Sequence, residues 1–96
     1  MGIFDLFRKK GSGDTAQTRR EYLLQYGRLT DGVIIDSEPA GEGEELIQYE
    51  YWVHGVSFES SEFLTEEQKT NAINYAPGAS VGIRFDPRNH GNSIVV

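Results

Sequence analysis

The chain is expected to be mainly β: a small five-stranded OB-like barrel of order β-β-β-α-β-β behind a leading N-terminal helix. Three observations point there. Tyr49 to Phe58 reads as a hairpin that sets its own register. Val81, Ile83 and Phe85 alternate with Gly82, Arg84 and Asp86, as in a half-buried strand. Thr65-Glu66-Glu67-Gln68 opens a helix between them, with Thr65 as cap and Gln68 at the reciprocal position. An SH3-like barrel or a bent antiparallel sheet is the alternative arrangement. Closure removes exposed strand edges, which matters for strands this rich in aromatics.

The elements follow in order. Residues 1–13 read as a flexible amphipathic tail: Ile3, Phe4, Leu6 and Phe7, then Arg8-Lys9-Lys10, then the Gly11-Ser12-Gly13 break. Residues 14–27 form the leading helix, capped by Asp14 and stopped at Gly27, with Leu23 and Tyr26 docked on the barrel and Arg19 and Arg20 pointing away. The barrel occupies 28–96. Val33-Ile34-Ile35 is β-branched and gives the first strand, with Gly32 as a bend or bulge. Glu38 to Glu45 is an acidic, Gly-bearing loop. After the hairpin, Ala72, Ile73 and Tyr75 supply the apolar side of the short helix, and Pro77-Gly78 ends it. Asp86-Pro87-Arg88-Asn89 turns the chain into a closing strand from Ser93 to Val96.

The hairpin reading is the most specific. His54-Gly55 is a two-residue turn, so Val53 faces Val56, Tyr51 faces Phe58 and Tyr49 faces Ser60. That side is core. The other side carries Trp52 beside Ser57 and sets Glu50 directly across from Glu59.

Composition narrows the function classes. The 96 residues make one domain, able to bury roughly 60 to 70% of the surface exposed on unfolding. With no cysteine there is no disulfide and no thiolate chemistry. The net charge of −6 argues against sequence-independent nucleic-acid binding. No apolar run approaches the ~20 residues of a membrane span. Asp5 interrupts the N-terminal apolar residues, so no signal peptide is expected and the location expected is cytoplasmic. Residues 1–10 could touch a lipid surface weakly.

The spacing Tyr49-x-Tyr51-x-Val53-x-Gly55-x-x-Phe58, followed by Tyr75-x-Pro77-Gly78-x-x-Val81-x-Ile83-x-Phe85-Asp86-Pro87-x-Asn89, resembles a widespread bacterial family of unknown function. Leu23-Leu24-x-x-Gly27, with Gly32-Val33 after it, is similar to how its modules begin. The family's short β-rich modules are often attached to transmembrane helices. The resemblance implies a small β barrel and no established activity. The chain departs from the pattern at His90, where a second Pro is usual.

Site candidates are few. Asp86-Pro87-x-Asn89 reads as a turn rather than a catalytic acid. His54 and His90 fall in a turn and a loop without metal-ligand spacing, and no serine sits in a nucleophile elbow, so no catalytic residue, metal or cofactor is expected. The candidate binding residues are Trp52, Glu50, Glu59, Arg19, Arg20 and Arg84. Like charges opposed on a sheet either splay into water or hold a cation between them, from Arg19 or Arg20 or from a partner. An outward Trp is either covered by the leading helix or an interface anchor. The expected role is therefore a non-catalytic binding or accessory module, acting through a protein partner or self-association. The alternative is an OB-type oligonucleotide or oligosaccharide binder using Trp52, Tyr49 or Arg84.

Overall fold

The computed structural model describes residues 17–96. The expected tail and the Asp14 cap lie outside the described residues. Helix α1 runs over 17–26 and is followed by β1 (Arg28–Pro39), β2 (Glu45–Val53) and β3 (Val56–Phe63). Then come α2 (Glu66–Lys69), a 3-10 turn (Ala72–Tyr75), β4 (Ser80–Asp86) and β5 (Asn89–Val95). The β-β-β-α-β-β order is the expected one. All strand pairs are antiparallel, in the spatial order β3-β2-β1-β4-β5. The sheet curls until β3 and β5 approach each other across a single seam, leaving a nearly closed barrel.

Residues that alternate along each strand fill the interior. Ile34, Ile47, Tyr49, Tyr51, Val53, Ile83, Phe85 and Val95 are buried together, with Leu64 as a lid. The rings of Tyr49, Tyr51 and Phe58 follow one another at centroid spacings of 5.9 and 5.6 Å. Aromatics give this small core most of its buried area per residue. Phe58 and Val81 pack against it while only partly buried. His90, expected in a loop, instead lies in β5 with its ring edge-on to Phe85 at 5.3 Å.

The hairpin register is the expected one at every pair from Tyr49↔Ser60 to Val53↔Val56. His54 and Gly55 both take positive φ, 53° and 81°, which matches the strand twist in a two-residue turn. The capping box at α2 is complete, with the Gln68 amide donating to Thr65 Oγ1 and the Thr65 amide to Gln68 Oε1. Asp86 Oδ1 accepts from the Arg88 amide at 2.8 Å, the turn contact expected of Asp-Pro.

Three expectations are corrected. β1 extends from Arg28 to Pro39, far beyond Val33-Ile34-Ile35, and its bulge lies between Ile34 and Asp36 rather than at Gly32. Gly32 serves close packing instead: a Cβ there would sit 2.6 Å from Ile83 Cγ1 and 2.8 Å from the Glu50 carbonyl oxygen. The apolar side expected of Ala72 and Ile73 is not formed. The α-helix ends at Lys69, and Ile73 in the 3-10 turn is 83% exposed; only Tyr75 packs on the core.

Candidate functional site

Two groups of chemistry-bearing side chains emerge: one at the seam between β3 and β5, the other on the outer face of β1 and β2. The seam is built by α1. Its barrel-facing side is Arg19, Leu23 and Gly27, an i, i+4, i+8 stripe, with Arg20 three residues before Leu23; Leu23 is fully buried. Gly27 allows close approach, because a Cβ would lie 3.1 Å from Arg84 Cβ and 2.5 Å from the Leu23 carbonyl oxygen. Arg84 Nη1 donates to the Gly27 carbonyl at 3.0 Å, fastening the helix end to β4.

At the other end of the helix, Arg19 Nη1 donates to the Ser93 carbonyl at 2.9 Å and to Asn92 Oδ1 at 3.3 Å. Arg20 Nη1 reaches the Val95 carbonyl at 3.4 Å. Both guanidinium groups lie 3.8 Å from the carboxylate of Glu62 on β3. Glu62 Oε2 accepts from the Val95 amide at 2.9 Å, and Gln68 Nε2 donates to the Val95 carbonyl at 2.9 Å. Side chains thus replace the backbone ladder that β3 and β5 do not form. Tyr49 completes the cluster from the interior, with its hydroxyl 2.8 Å from Ser93 Oγ and donating to the Ser93 carbonyl at 3.1 Å.

The electrostatics follow from burial. Glu62 sits on the core side of β3, and desolvation raises its pKa despite the lowering effects of the Val95 amide and the two arginines. Desolvation, with the nearby Glu62 charge second, pushes Tyr49 up to about 12. A groove of about 460 Å³ opens beside this cluster, between α1 and β3, and exposes Phe63.

The arginines therefore do not serve the Glu50–Glu59 pair, and they do not point away from the barrel. Open carbonyls at the seam and the largely buried Glu62 carboxylate give their planar forks more partners than the outer-face glutamate pair would. Of the two residues expected to dock, Leu23 is buried and Tyr26 is exposed, as is Leu24. The polar contacts of α1 run to β3 and β5, and that of Gly27 after it to β4; among the described residues none of them reaches Trp52 on β2.

On the outer face, Glu50 pairs with Glu59 and Trp52 with Ser57, as the turn requires. Trp52 is 44% exposed. Ser57 Oγ donates to Glu50 Oε2 at 2.9 Å, and Thr30 Oγ1 donates to the Trp52 carbonyl at 2.9 Å. Among the described residues, no ion pair involves Glu50 or Glu59. Tyr49 is fully buried and Arg84 is held by Gly27, so neither joins Trp52 in one site.

Residues 30–96 match the family described as Domain of unknown function (DUF3592). The chain belongs to this family. The DUF3592 match takes in β2 through β5 and most of β1, whereas α1 precedes it. It agrees with the resemblance to a family of unknown function read from the Tyr49–Phe58 and Tyr75–Asn89 spacings. No curated protein and no solved structure matches this DUF3592 chain. Among the described residues, no helix is long and apolar enough to cross a membrane.

Glu62 is the residue that sequence reasoning missed. Its signal was present in the hairpin: Val56, Phe58, Ser60 and Glu62 share one face, which places a carboxylate on the core side of β3.

Proposed function

We propose that this domain is a non-catalytic binding or accessory module, OB-like in connectivity and cytoplasmic, that acts through the outer face of β1 and β2. The observation that carries the reading is Trp52. A half-exposed indole on a strand whose neighbours Tyr51 and Val53 are buried leaves apolar area in water, and such area normally marks an interaction surface. Leu29, also exposed, extends the patch along β1. The surface is presented on a rigid support, because the strands beneath it are paired on both sides and α1 is clamped elsewhere.

The test compares wild-type chain with Trp52→Ala by sedimentation and by affinity capture. Trp52→Ala is expected to keep the far-UV signature and melting temperature while losing self-association or captured partners. A variant that retains every association of the wild type would remove the basis of this reading.

A further inference from the structure

We propose that the Trp52 face recognises a basic segment of a partner protein, seating a lysine or arginine side chain over the indole between acidic groups. The inference rests on the reading of this face as the interaction surface. A cation is attracted to an aromatic face by the ring quadrupole, and Trp offers the strongest such face. Here the ring is flanked by carboxylates. Glu50 lies two residues away on the same side of β2, with Glu59 directly across from it on β3. Asp31 follows on β1, one register step from the Gly32↔Tyr51 pair, and is exposed. The Ser57 hydroxyl, opposite Trp52, holds Glu50 Oε2 at 2.9 Å, on the side of Glu50 that leads toward the indole.

A cation from outside would relieve the Glu50–Glu59 opposition, which the described cations do not. Arg19 and Arg20 are bound at the seam, Lys69 pairs with Glu66 at 2.9 Å, Arg84 is held by Gly27, and neither Arg28 nor Arg88 forms an ion pair with Glu50 or Glu59 among the described residues. Beyond Asp31 the face turns apolar. Leu29 and Val96 converge over Gly82, where a Cβ would meet Val96 Cγ2 at 3.2 Å and Leu29 Cδ1 at 3.6 Å. This row gives the apolar neighbours of the incoming cation a place to lie. A second copy docked face to face would instead set these carboxylates against one another, in a chain whose net charge is already −6.

The test titrates the full chain with two synthetic peptides, one alternating Lys and Leu, the other Glu and Leu, by calorimetry and Trp52 fluorescence. The Lys peptide is expected to bind saturably and to perturb the emission; the Glu peptide is not. Glu50→Gln/Glu59→Gln should weaken binding by about five-fold or more. Glu42→Gln/Glu44→Gln, an equal charge change on the loop between β1 and β2, should weaken it less than about two-fold. No saturable binding, or equal weakening by both pairs, would overturn the inference. Should Trp52→Ala abolish self-association or capture in a chain that ignores the Lys peptide, the surface reading stands and the basic partner falls. Should it leave every association intact, both fall.

Discussion

Replacing Glu62 by Ala removes the one acceptor that β3 offers to the Val95 amide, and the consequence can be worked from the seam. An N–H left unsatisfied at a buried site costs about 1–3 kcal/mol. The two arginines add little. They stand 3.8 Å from the carboxylate with side chains 37% and 24% exposed, so screening leaves about 0–1 kcal/mol for each. Removing a desolvated charge works in the opposite direction, so Glu62→Ala should destabilise by about 1–3 kcal/mol. Glu62→Gln keeps an acceptor for Val95 and should stay within about 1 kcal/mol of wild type at neutral pH. The pH dependence separates the charge from the hydrogen bond. The folded-state pKa of Glu62 lies above its unfolded value, so between the two the folded chain holds a proton that the unfolded chain has lost. Wild-type stability relative to Glu62→Gln is therefore greatest below the ordinary carboxylate range and declines as pH rises through the folded pKa. Urea unfolding followed by far-UV circular dichroism at several pH values measures both effects. A Glu62→Ala chain as stable as wild type, or a wild-type to Glu62→Gln difference that is flat with pH, would refute the clamp.

Other expectations follow from the same packing. Tyr49→Phe loses the bonds to Ser93 and should cost about 1 kcal/mol; in the wild type, absorbance titration should show one tyrosine ionising near pH 12, with stability falling as pH rises from 10 through that value. Ile83→Ala should cost about 2–5 kcal/mol in denaturant melts, and Phe58→Ala, at a partly buried site, should fall below the ~3–5 of a fully buried ring. Gly32→Ala should destabilise despite the usual entropic benefit of replacing Gly, since the new methyl meets Ile83 and a backbone oxygen; a stabilised variant would show that β1 relaxes freely.

What the sequence disclosed, and what it hid, divides along the range of the interactions. The hairpin was legible because His54-Gly55 ties the register to a local rule, and alternation then assigns every side chain to a face. The Thr65–Gln68 box and the Asp86 turn are likewise contacts across two or three residues. The full length of β1 was hidden because its ends, Arg28 to Asp31 and Ser37 to Pro39, are mostly polar and become strand only by pairing with β4 and β2. The destination of Arg19 and Arg20 depended on partners more than seventy residues away, Ser93 at a separation of 74 and Val95 at 75. Even so, their i−4 and i−3 spacing to Leu23 places them on its face, a clue within reach of the sequence. The exposure of Trp52 was left open by the register alone. It was decided by where α1 settled, which the seam's unpaired groups control.

The central claim is that Trp52 lies at the free surface and is covered when the domain associates. The chain has a single Trp, so acrylamide quenching of its fluorescence reports on this position alone. The account predicts an indole that is readily quenched in the isolated full chain and protected in the complex or at associating concentrations. An indole already protected in the dilute, isolated chain, or one equally quenchable when the partner is bound, would contradict it.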